Sequence, residues 1–338
     1  MFFTALPEMK DVLSKVSRDM DELLPNDWNK GQVGEIISDV MNSRGKGVRP
    51  SLLLLMGKLG PNYSQCMSRL VRLGALAEFI HMASLIHDDI IDDSVLRRGK
   101  PTIQAKYGKD MAVYAGDLIL SQTLSIILRD NLRDSGLLLA QTIQDMCKGE
   151  INQAACRYKA NVTQEEYYQN IFGKTASMFV TVCKIGGMES GCSQALIELM
   201  GNIGLHLGYL FQIRDDLLDF SLQDMGDAKS MRLDFQEGIL TLPVIYSLND
   251  SKCNEPLKEL IERARSGILS DKDLASLDEL IMLAGGFEQT VKKAEEHRDT
   301  VLSLLEKLPN SQGNTIKLIQ HLLSNLTLPT PPKNKDTY

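Results

Sequence analysis

The sequence predicts an all-α protein, and three observations support that fold class. Apolar residues recur at helical spacing in almost every segment of the 338-residue chain. No run combines period-two alternation with many β-branched residues, which is the pattern typical of strands. Two apolar helical segments that are far apart in the chain end in closely similar groups of aspartates. A mixed fold with buried strands is the alternative to this prediction.

The N-terminal half consists of helical segments that are separated by glycine and proline. Pro7 suits the first turn of a helix, and Pro50 begins another helix after the glycine-containing loop at 44–49. Residues 60–62 and 99–102 are expected to form loops, because each stretch holds glycine and proline. The helices predicted in this half cover about residues 7–24, 33–41, 50–59, 63–94, 110–129 and 134–160.

In the C-terminal half, helices alternate with stretches that lack helical spacing. Thr163 and Glu166 have the spacing of a capping box, and they start a helix that extends to about Gly186. We expect that helix to kink at Gly173-Lys174-Thr175. Residues 221–238 are polar and without period, which predicts a long functional loop. Further helices are predicted over residues 192–220, 240–248, 255–265, 271–284, 287–307 and 312–326.

Composition and charge indicate a soluble, cytoplasmic protein. The chain is 43% hydrophobic and 24% charged, and its net charge of −7 offers no general attraction to nucleic acid. The six cysteines show neither Cys-x-x-Cys nor zinc-ligand spacing, which fits a reducing compartment. We see no signal peptide and no uninterrupted apolar stretch of about 18 residues, so we expect no membrane span. Residues 1–326 should form one all-helical domain, and the proline-rich residues 327–338 a disordered tail.

Two acidic motifs carry the clearest functional pattern. Residues 86–92 read Ile-His-Asp-Asp-Ile-Ile-Asp, and residues 213–219 read Ile-Arg-Asp-Asp-Leu-Leu-Asp. Helical spacing places the first and last aspartates of each motif one turn apart on one face, where their like charges repel. A hard cation such as Mg²⁺, which binds one or two carboxylates together with water and phosphate oxygens, explains the pattern. The alternative for either motif alone is a solvated acidic face. The aspartates concerned are Asp88, Asp92, Asp215 and Asp219.

Basic and polar residues near these motifs suggest that the cation serves phosphate. Lys46 and Arg49 lie in a glycine-bearing loop before a helix N-terminus, a placement that suits oxyanions. Arg97 and Arg98 follow the first motif closely, and His81 precedes Asp88 by two helical turns. The set is completed by Lys174 and Thr175 beside the expected kink and by Lys229 after the second motif. Each residue alone is more often a surface residue, or for His81 a core histidine, so the prediction rests on the whole set. Together they suggest two anionic groups, one bridged by metal and one bound by side chains alone.

The same residues resemble the trans-prenyl diphosphate synthases, in order and spacing from about residue 40 to residue 250. They resemble in particular the medium- and long-chain synthases of bacterial type, including the catalytic component of heptaprenyl diphosphate synthase. The matching motifs are Gly45-Lys46-Gly-Val-Arg49-Pro50, His81-Met-Ala-Ser-Leu-Ile-His-Asp-Asp-Ile-Ile-Asp92, Arg97-Arg98-Gly99-Lys100-Pro101-Thr102, Gly116-Asp117, Gly173-Lys174-Thr175-Ala176, Phe211-Gln212-x-x-Asp-Asp-x-x-Asp219 and Gly238-x-x-Thr241-Leu242-Pro243.

The resemblance implies a single large helical bundle of the isoprenoid synthase type with a central active-site cavity, and an enzyme that condenses isopentenyl diphosphate with an allylic diphosphate. It implies three Mg²⁺ ions per site when substrate is bound. The expected metal ligands are Asp88, Asp92, Asp215 and Asp219, and the expected catalytic residues are Asp88, Asp92, Lys174 and Asp215. Isopentenyl diphosphate would be bound by Lys46, Arg49, His81 and Arg98. The allylic diphosphate would be bound by Arg97, Lys174, Thr175, Gln212 and Lys229.

Product length is predicted from the residues just before the first motif. Ala83 and Ser84 lie five and four positions before Asp88, where short-chain relatives tend to carry an aromatic residue. Two small side chains should leave room for a growing tail, so we expect an all-trans product longer than farnesyl, such as a quinone side-chain precursor. The alternative is that Ala83 only packs a helix crossing and that another helix closes the tunnel.

The chain departs from the family pattern at four positions after the second motif: Leu222, Gln223, Ala228 and Ile239. These departures bear on how tightly the loop closes and on whether the chain works alone. We expect a homodimer or a heterodimer with a small regulatory subunit. The other functions considered are a geranylgeranyl- or farnesyl-length synthase, a regulatory subunit of a heteromeric synthase, and a terpene cyclase, which usually lacks the Lys46 and Arg49 site.

Overall fold

The computed structural model of the chain describes residues 7–221, 232–309 and 313–330 and is almost entirely helical. The predicted all-α fold class is confirmed. Sixteen α-helices lie in these ranges: α1 Pro7–Glu22, α2 Gly31–Asn42, α3 Val48–Gly57, α4 Tyr63–Ile91, α5 Ile103–Tyr107, α6 Lys109–Arg129, α7 Arg133–Cys156, α8 Gln164–Ile171, α9 Ser177–Glu189, α10 Gln194–Ser221, α11 Leu233–Gln236, α12 Leu242–Ser247, α13 Asn254–Arg265, α14 Asp271–Leu283, α15 Gly286–Leu305 and α16 Gly313–Asn325. A 3₁₀ turn covers Asn26–Asn29, and a π-helical turn covers Phe172–Ala176.

The chain divides into two compact units. The first holds the described residues of 1–143, 181–201 and 309–322, and the second holds those of 144–180, 202–308 and 323–338. The prediction of one domain over residues 1–326 stays a prediction. The predicted tail at 327–338 lies mostly outside the described residues, since only 327–330 are described and these have no regular structure.

The first unit is built around α4. This helix packs against α1, α3 and α6, and its residues from Leu70 to Ile80 are almost completely buried apart from Arg72. Helix α3 is apolar on all sides, so it is buried throughout the run Leu52–Met56. Gly116 lets α6 approach α4 closely, because a Cβ at that position would lie 2.3 Å from Nε2 of His87. This packing fixes the end of α4 that carries the first acidic motif.

The second unit is built around α12, which packs against α8, α14 and α15. All six residues of α12 are buried. Gly286 begins α15 and lets it approach α12 closely, because a Cβ there would lie 2.3 Å from the carbonyl oxygen of Pro243. The capping box predicted at Thr163 and Glu166 is present at the start of α8.

Three local predictions need correction. Helix α11 (Leu233–Gln236) lies within the loop expected at residues 221–238. The loop expected at residues 99–102 is part of a small antiparallel hairpin, in which β1 (Leu96–Arg97) pairs with β2 (Lys100–Pro101). Strands of two residues are too short to show alternation, so the sequence pattern does not reveal them. Helix α3 also begins at Val48, two residues before Pro50, because proline is tolerated throughout the first turn of a helix.

By length and composition, α4 and α6 are each apolar enough to cross a membrane. In α4, 72% of the most apolar window is buried inside the protein, as in the core helix of a soluble protein, whereas in α6 the share is 39%.

Candidate active site

The first acidic motif lies at the C-terminal end of α4. Asp88 is partly exposed in the last turn, and Asp92 is exposed and caps the helix, its N–H donating to the carbonyl of Asp88 at 2.9 Å. Negative charge is unfavourable at this end of a helix, because the last backbone carbonyls carry partial negative charge. A bound cation would offset that cost, so the placement of both aspartates suits a metal site.

Asp89, between these two aspartates, is buried and is held by the hairpin. Its Oδ1 accepts a hydrogen bond from Nε of Arg97 at 2.7 Å. Burial raises the pKa of Asp89, and the hydrogen bond from Arg97 acts in the opposite direction. Arg97, which is predicted to bind the allylic diphosphate, is thus fixed beside the predicted metal ligands. The sequence shows Asp89 in the motif but does not show that its partner is Arg97.

Arg98 and Gly99 form the two-residue turn of the hairpin. Their φ angles are +54° and +75°, and a type I′ turn requires positive values at both positions. The left-handed conformation is unfavourable for a residue such as arginine by about 1–2 kcal/mol. Because most hairpins place asparagine, aspartate or glycine there, the arginine indicates that position 98 serves a purpose beyond the turn.

Three of the four residues predicted to bind isopentenyl diphosphate lie close together in the first unit. His81 is largely enclosed on α4, and burial lowers its pKa well below the usual value. The positive charges of Arg49, Arg98 and Arg97 lower that pKa further. His81 is therefore neutral near pH 7 and is surrounded by arginines. Lys46 is exposed on the loop before α3.

Glu78 is a buried carboxylate in the same cluster, and the prediction from sequence missed it. The backbone N–H of Gly45 donates a hydrogen bond to it, and Arg49 and Arg98 are among the nearest positive charges. Glu78 precedes His81 by three residues, so the two side chains share one face of α4. That spacing is the signal by which the sequence indicates Glu78.

The second acidic motif lies at the C-terminal end of α10, in the second unit. Asp215 keeps 46% of its side chain exposed and accepts a hydrogen bond from Nη1 of Arg214 at 3.3 Å. Oδ1 of Asp219 accepts the N–H of Leu233 at 3.3 Å, whereas its Oδ2 is buried and has no hydrogen-bond partner among the described residues. Burial raises the pKa of Asp219 to about 7, and the charge of Asp234 adds to this effect.

These residues fit a divalent cation. A buried carboxylate oxygen without a partner, Oδ2 of Asp219, is a donor that a bound cation would satisfy. Within 7–221, 232–309 and 313–330, no three His, Cys, Asp or Glu side chains are grouped as a complete ligand set. Mg²⁺ does not require one, because it usually binds one or two carboxylates and completes its shell with water and substrate phosphates.

Asp216 is the counterpart of Asp89 in the second motif. It is buried, and its carboxylate accepts hydrogen bonds from the hydroxyl of Tyr167 at 2.6 Å and from Nε2 of Gln212 at 2.8 Å. Burial raises the pKa of Asp216 to about 7, and Asp234 adds to this effect. The prediction from sequence also missed Tyr167, because nothing in the spacing of α8 indicates a partner 49 residues later.

The π-helical turn at Phe172–Ala176 presents Thr175 and Lys174, at the position where a kink is predicted. Oγ1 of Thr175 donates to Oε1 of Gln212 at 2.6 Å, and Gln212 in turn donates to Asp216. Two residues predicted for the allylic diphosphate are therefore linked to the second acidic motif by consecutive hydrogen bonds.

Lys174 is held by α7. Its Nζ donates to Oε1 of Gln153 at 3.3 Å and lies 3.8 Å from Oε1 of Glu150. A small cavity of about 40 Å³, enough for one or two waters, adjoins this lysine. The polar side chains around the cavity belong to Gln153, Tyr167, Asn170, Lys174, Gln212, Asp216, Asp234 and Thr241.

Glycines permit the close packing on which this network depends. A Cβ at Gly208 of α10 would lie 2.5 Å from Cα of Ala176. A Cβ at Gly173 would lie 2.7 Å from Cα of Gly149 and 2.5 Å from the carbonyl oxygen of Asp145. The π-helical turn is therefore packed backbone to backbone against both α7 and α10.

Arg232 fixes the end of α10, and the prediction from sequence missed this residue as well. Its side chain is 1% exposed and binds the carboxylate of Asp278 at 2.6 and 2.8 Å. It also donates to the backbone carbonyls of Asp219 and Phe220, which end the helix without intrahelical partners. Arg232 therefore ties the second acidic motif to α14.

Several predicted positions lie outside the described residues: Lys229, Leu222, Gln223 and Ala228. Ile239, the remaining departure from the family pattern, is half-buried, lines the cavity near Lys174, and donates its N–H to the carbonyl of Asp234 at 2.7 Å. Of the two predicted chain-length residues, Ala83 is fully buried, whereas Ser84 is partly exposed and donates to the carbonyl of His81 at 2.9 Å.

Comparison with known proteins identifies the family. The sequence model of a protein family described as "Polyprenyl synthetase" matches residues 30–276, which is more than half of the chain. This chain belongs to the polyprenyl synthetase family. Polyprenyl synthetases of this kind are prenyltransferases that use divalent metal ions and prenyl diphosphate substrates. The resemblance inferred from the motifs is therefore confirmed.

Individual members of the family differ in the products that their names describe. The chain is 30% identical to heptaprenyl diphosphate synthase component 2 of Geobacillus stearothermophilus, over 90% of this chain and 92% of that protein. It is 34% identical to the chloroplastic solanesyl-diphosphate synthase 2 of Oryza sativa subsp. japonica, over 91% of this chain and 78% of that protein. It also resembles the structure of a geranylgeranyl pyrophosphate synthase from Lactobacillus brevis, with a TM-score of 0.85, 26% identity, and coverage of 96% of this chain and 99% of that one.

Proposed function

We propose that this polyprenyl synthetase condenses isopentenyl diphosphate with an allylic diphosphate into an all-trans polyprenyl diphosphate of medium or long chain. The product would be longer than farnesyl and would suit a quinone side chain, and the enzyme would act in the cytoplasm. The observation that carries the proposal is the cluster of Arg49 on α3, His81 on α4 and Arg98 in the hairpin turn. A cation cluster of this kind suits a second diphosphate bound without metal.

The acidic motifs have a distinct role in this proposal. Asp88, Asp92, Asp215 and Asp219 would hold Mg²⁺ on the allylic diphosphate, three ions in all when substrate is bound. Bound Mg²⁺ supplies Lewis-acid stabilisation of the charge on the departing pyrophosphate. Asp89 and Asp216 would not bind metal directly, because their carboxylates already accept hydrogen bonds from protein side chains.

The side chains around these motifs would orient the allylic diphosphate. Arg97 and Lys174 would bind its oxygens by charge, Thr175 and Gln212 by hydrogen bonds, and Lys229 would complete the set. The allylic carbon–oxygen bond breaks, and its electron pair leaves with the pyrophosphate. The double bond of isopentenyl diphosphate then forms the new carbon–carbon bond, and the pyrophosphate accepts the proton that is lost. Lys46, Arg49, His81 and Arg98 would hold isopentenyl diphosphate in place, with water excluded.

The decisive experiment is product analysis. The purified chain is incubated with Mg²⁺, labelled isopentenyl diphosphate and farnesyl diphosphate, and the products are separated by chromatography. We expect consumption of isopentenyl diphosphate and a labelled series that extends beyond geranylgeranyl. A product that stops at geranylgeranyl would contradict the chain-length proposal. Absence of any product from the purified chain alone would instead favour a regulatory role or an obligatory partner. The name "component 2" of one relative gives a reason to consider such a partner.

Chain length gives a further test, at Ser84. On α4, the partly exposed residues from the aspartates inward are Asp88, His87, Leu85, Ser84 and His81, whereas Ile80 and Ala77 are buried. If the product tail follows this face, Ser84→Phe should shorten the products, because an aromatic ring would block the path one turn from Asp88. An unchanged product distribution from a variant that retains activity would show that another helix closes the tunnel.

A further inference from the structure

Glu78 is a buried carboxylate to which the proposed reaction assigns no part. It lies on α4 with 4% of its surface exposed, and the positive charges of Arg49, Arg98 and Arg44 lie near it. A buried carboxylate is retained in a protein only when partners compensate the loss of water, so its partners indicate its purpose.

The partners of Glu78 are parts of the candidate isopentenyl diphosphate site. The N–H of Gly45, in the loop between Arg44 and Arg49, donates to its carboxylate. A Cβ built on Gly45 would lie 3.0 Å from Oε1 of Glu78 and 3.8 Å from Nη1 of Arg98, so loop, carboxylate and hairpin arginine meet at this point. Arg49 and Arg44 also lie close enough to act on the carboxylate by charge. One negative group therefore lies among three arginines from two separate segments.

The second oxygen of this carboxylate, Oε2 of Glu78, is buried and lacks a hydrogen-bond donor among the described residues. If an arginine of the cluster moves when a diphosphate binds, Oε2 of Glu78 is available to accept a hydrogen bond from it. Glu78 also lies well away from the predicted metal ligand Asp88, since the ten residues of α-helix between them span about 15 Å.

From this geometry we propose that Glu78 is a positioning residue, which holds the Gly45 loop, Arg49 and Arg98 in the arrangement that binds isopentenyl diphosphate. It does not touch substrate, and it acts through these groups. Without a central negative charge, the arginines would repel one another and the hairpin would lose its contact with the loop. This inference rests on the proposed function, because it assumes that the cluster binds that diphosphate.

The test compares Glu78→Gln and Glu78→Ala with the wild-type chain in steady-state kinetics with Mg²⁺. We expect the KM for isopentenyl diphosphate to rise by about tenfold or more in Glu78→Ala, while the KM for the allylic substrate changes by less than about threefold. Glu78→Gln should show a smaller rise, because an amide oxygen still accepts the Gly45 N–H but carries no charge. If Glu78→Ala does not fold, the Glu78→Gln result decides.

Glu189 provides a matched control in the same unit. It is also a nearly buried glutamate that binds an arginine, with Oε2 2.5 Å from Nε of Arg69, but it belongs to no candidate site. Glu189→Gln should leave the ratio of the two KM values unchanged even if the free energy of unfolding falls. Equal changes in both KM values for the Glu78 variants, or no change in either, would overturn the proposal.

A binding measurement separates this inference from the proposed function. Isopentenyl diphosphate is titrated calorimetrically into the wild-type chain and both Glu78 variants in EDTA, where no turnover occurs. Weaker binding by about tenfold in Glu78→Ala supports the positioning role even if the wild-type chain makes no product. Unchanged binding in the variants overturns it, whatever the outcome of product analysis.

Discussion

At the scale of single residues, each acidic motif divides its aspartates into two kinds. Asp89 and Asp216 are buried and accept hydrogen bonds from side chains of other elements. Asp88, Asp92 and Asp215 keep exposed surface at the C-terminal end of a helix, where a carboxylate is unfavourable without a cation. The buried aspartates thus maintain the structure around the motifs, and the exposed ones remain accessible to metal and substrate.

This division predicts a clear outcome for Asp88→Asn. We expect kcat/KM to fall by at least about a hundredfold, because a metal ligand is lost, while the circular dichroism spectrum and melting temperature stay near wild type. The matched control is Asp93→Asn, since Asp93 is exposed in the same aspartate run and pairs with Lys109. Activity retained by Asp88→Asn, or lost equally in Asp93→Asn, would contradict the metal assignment.

His81 makes the stability of the protein depend on pH in a defined direction. Burial and the neighbouring arginines hold its pKa in the folded state well below the usual value, so the unfolded state binds the proton more readily. The stability due to neutral His81 is present above the unfolded pKa of about 6.5 and is lost as pH falls below it. Between pH 7.5 and 5.5, the free energy of unfolding of the wild type relative to His81→Gln should therefore fall. Chemical denaturation at each pH measures this difference, and a difference that stays constant with pH would contradict a neutral His81 in the folded state.

At the scale of elements, the π-helical turn at Phe172–Ala176 controls where Lys174 and Thr175 point. Gly173 lies against Gly149 of α7 at backbone contact distance, and Glu150 and Gln153 of the same helix reach Lys174. The wide turn and the glycine contact therefore work together, because any separation of α7 from the turn would remove Glu150 and Gln153 from Lys174.

Gly173→Ala tests this arrangement. The added Cβ would lie 2.5 Å from the carbonyl oxygen of Asp145, so the backbone must shift, and we expect kcat/KM to fall by about a hundredfold together with a lower melting temperature. Gly267→Ala is the control, because Gly267 also lies in the second unit, its φ is +66°, and a Cβ there meets no atom within 4 Å. The control should lose stability without loss of activity. Wild-type activity in Gly173→Ala would show that the close contact does not position Lys174.

The sequence predicts elements better than it predicts partners. Apolar spacing located the long helices correctly, and glycine beside Lys174 indicated an interruption that proved to be the π-helical turn. The hairpin at residues 96–101 was missed, since two-residue strands carry no period and its turn uses Arg98 in an unusual conformation. Glu78, Tyr167 and Arg232 were missed because helical spacing shows which face a residue occupies but not which distant side chain meets it.

At the scale of the whole molecule, the exposed apolar face of α6 requires an explanation. Leu128 is 81% exposed, Tyr114 65% and Leu124 53%, and Leu137 of the adjoining α7 is 61% exposed. Neighbouring exposed apolar side chains on a helix are typical of an interface between proteins. Symmetric dimers are the commonest soluble assemblies, so we expect this face to pair with a second copy of the chain.

The dimer prediction is tested by Leu124→Glu/Leu128→Glu. Sedimentation of the wild-type chain should give the mass of a dimer, and the double variant should give that of a monomer, because two carboxylates in an apolar interface lose their water without gaining partners. Leu283→Glu is the control: this leucine is 70% exposed on α14, away from the α6 face in sequence, and its change should leave the dimer intact. If the wild-type chain sediments as a monomer and makes polyprenyl product only with a second, different protein, the dimer prediction is wrong. The name "component 2" of one relative is consistent with such a second protein. If that protein binds the α6 face, the same double variant should abolish activation by it.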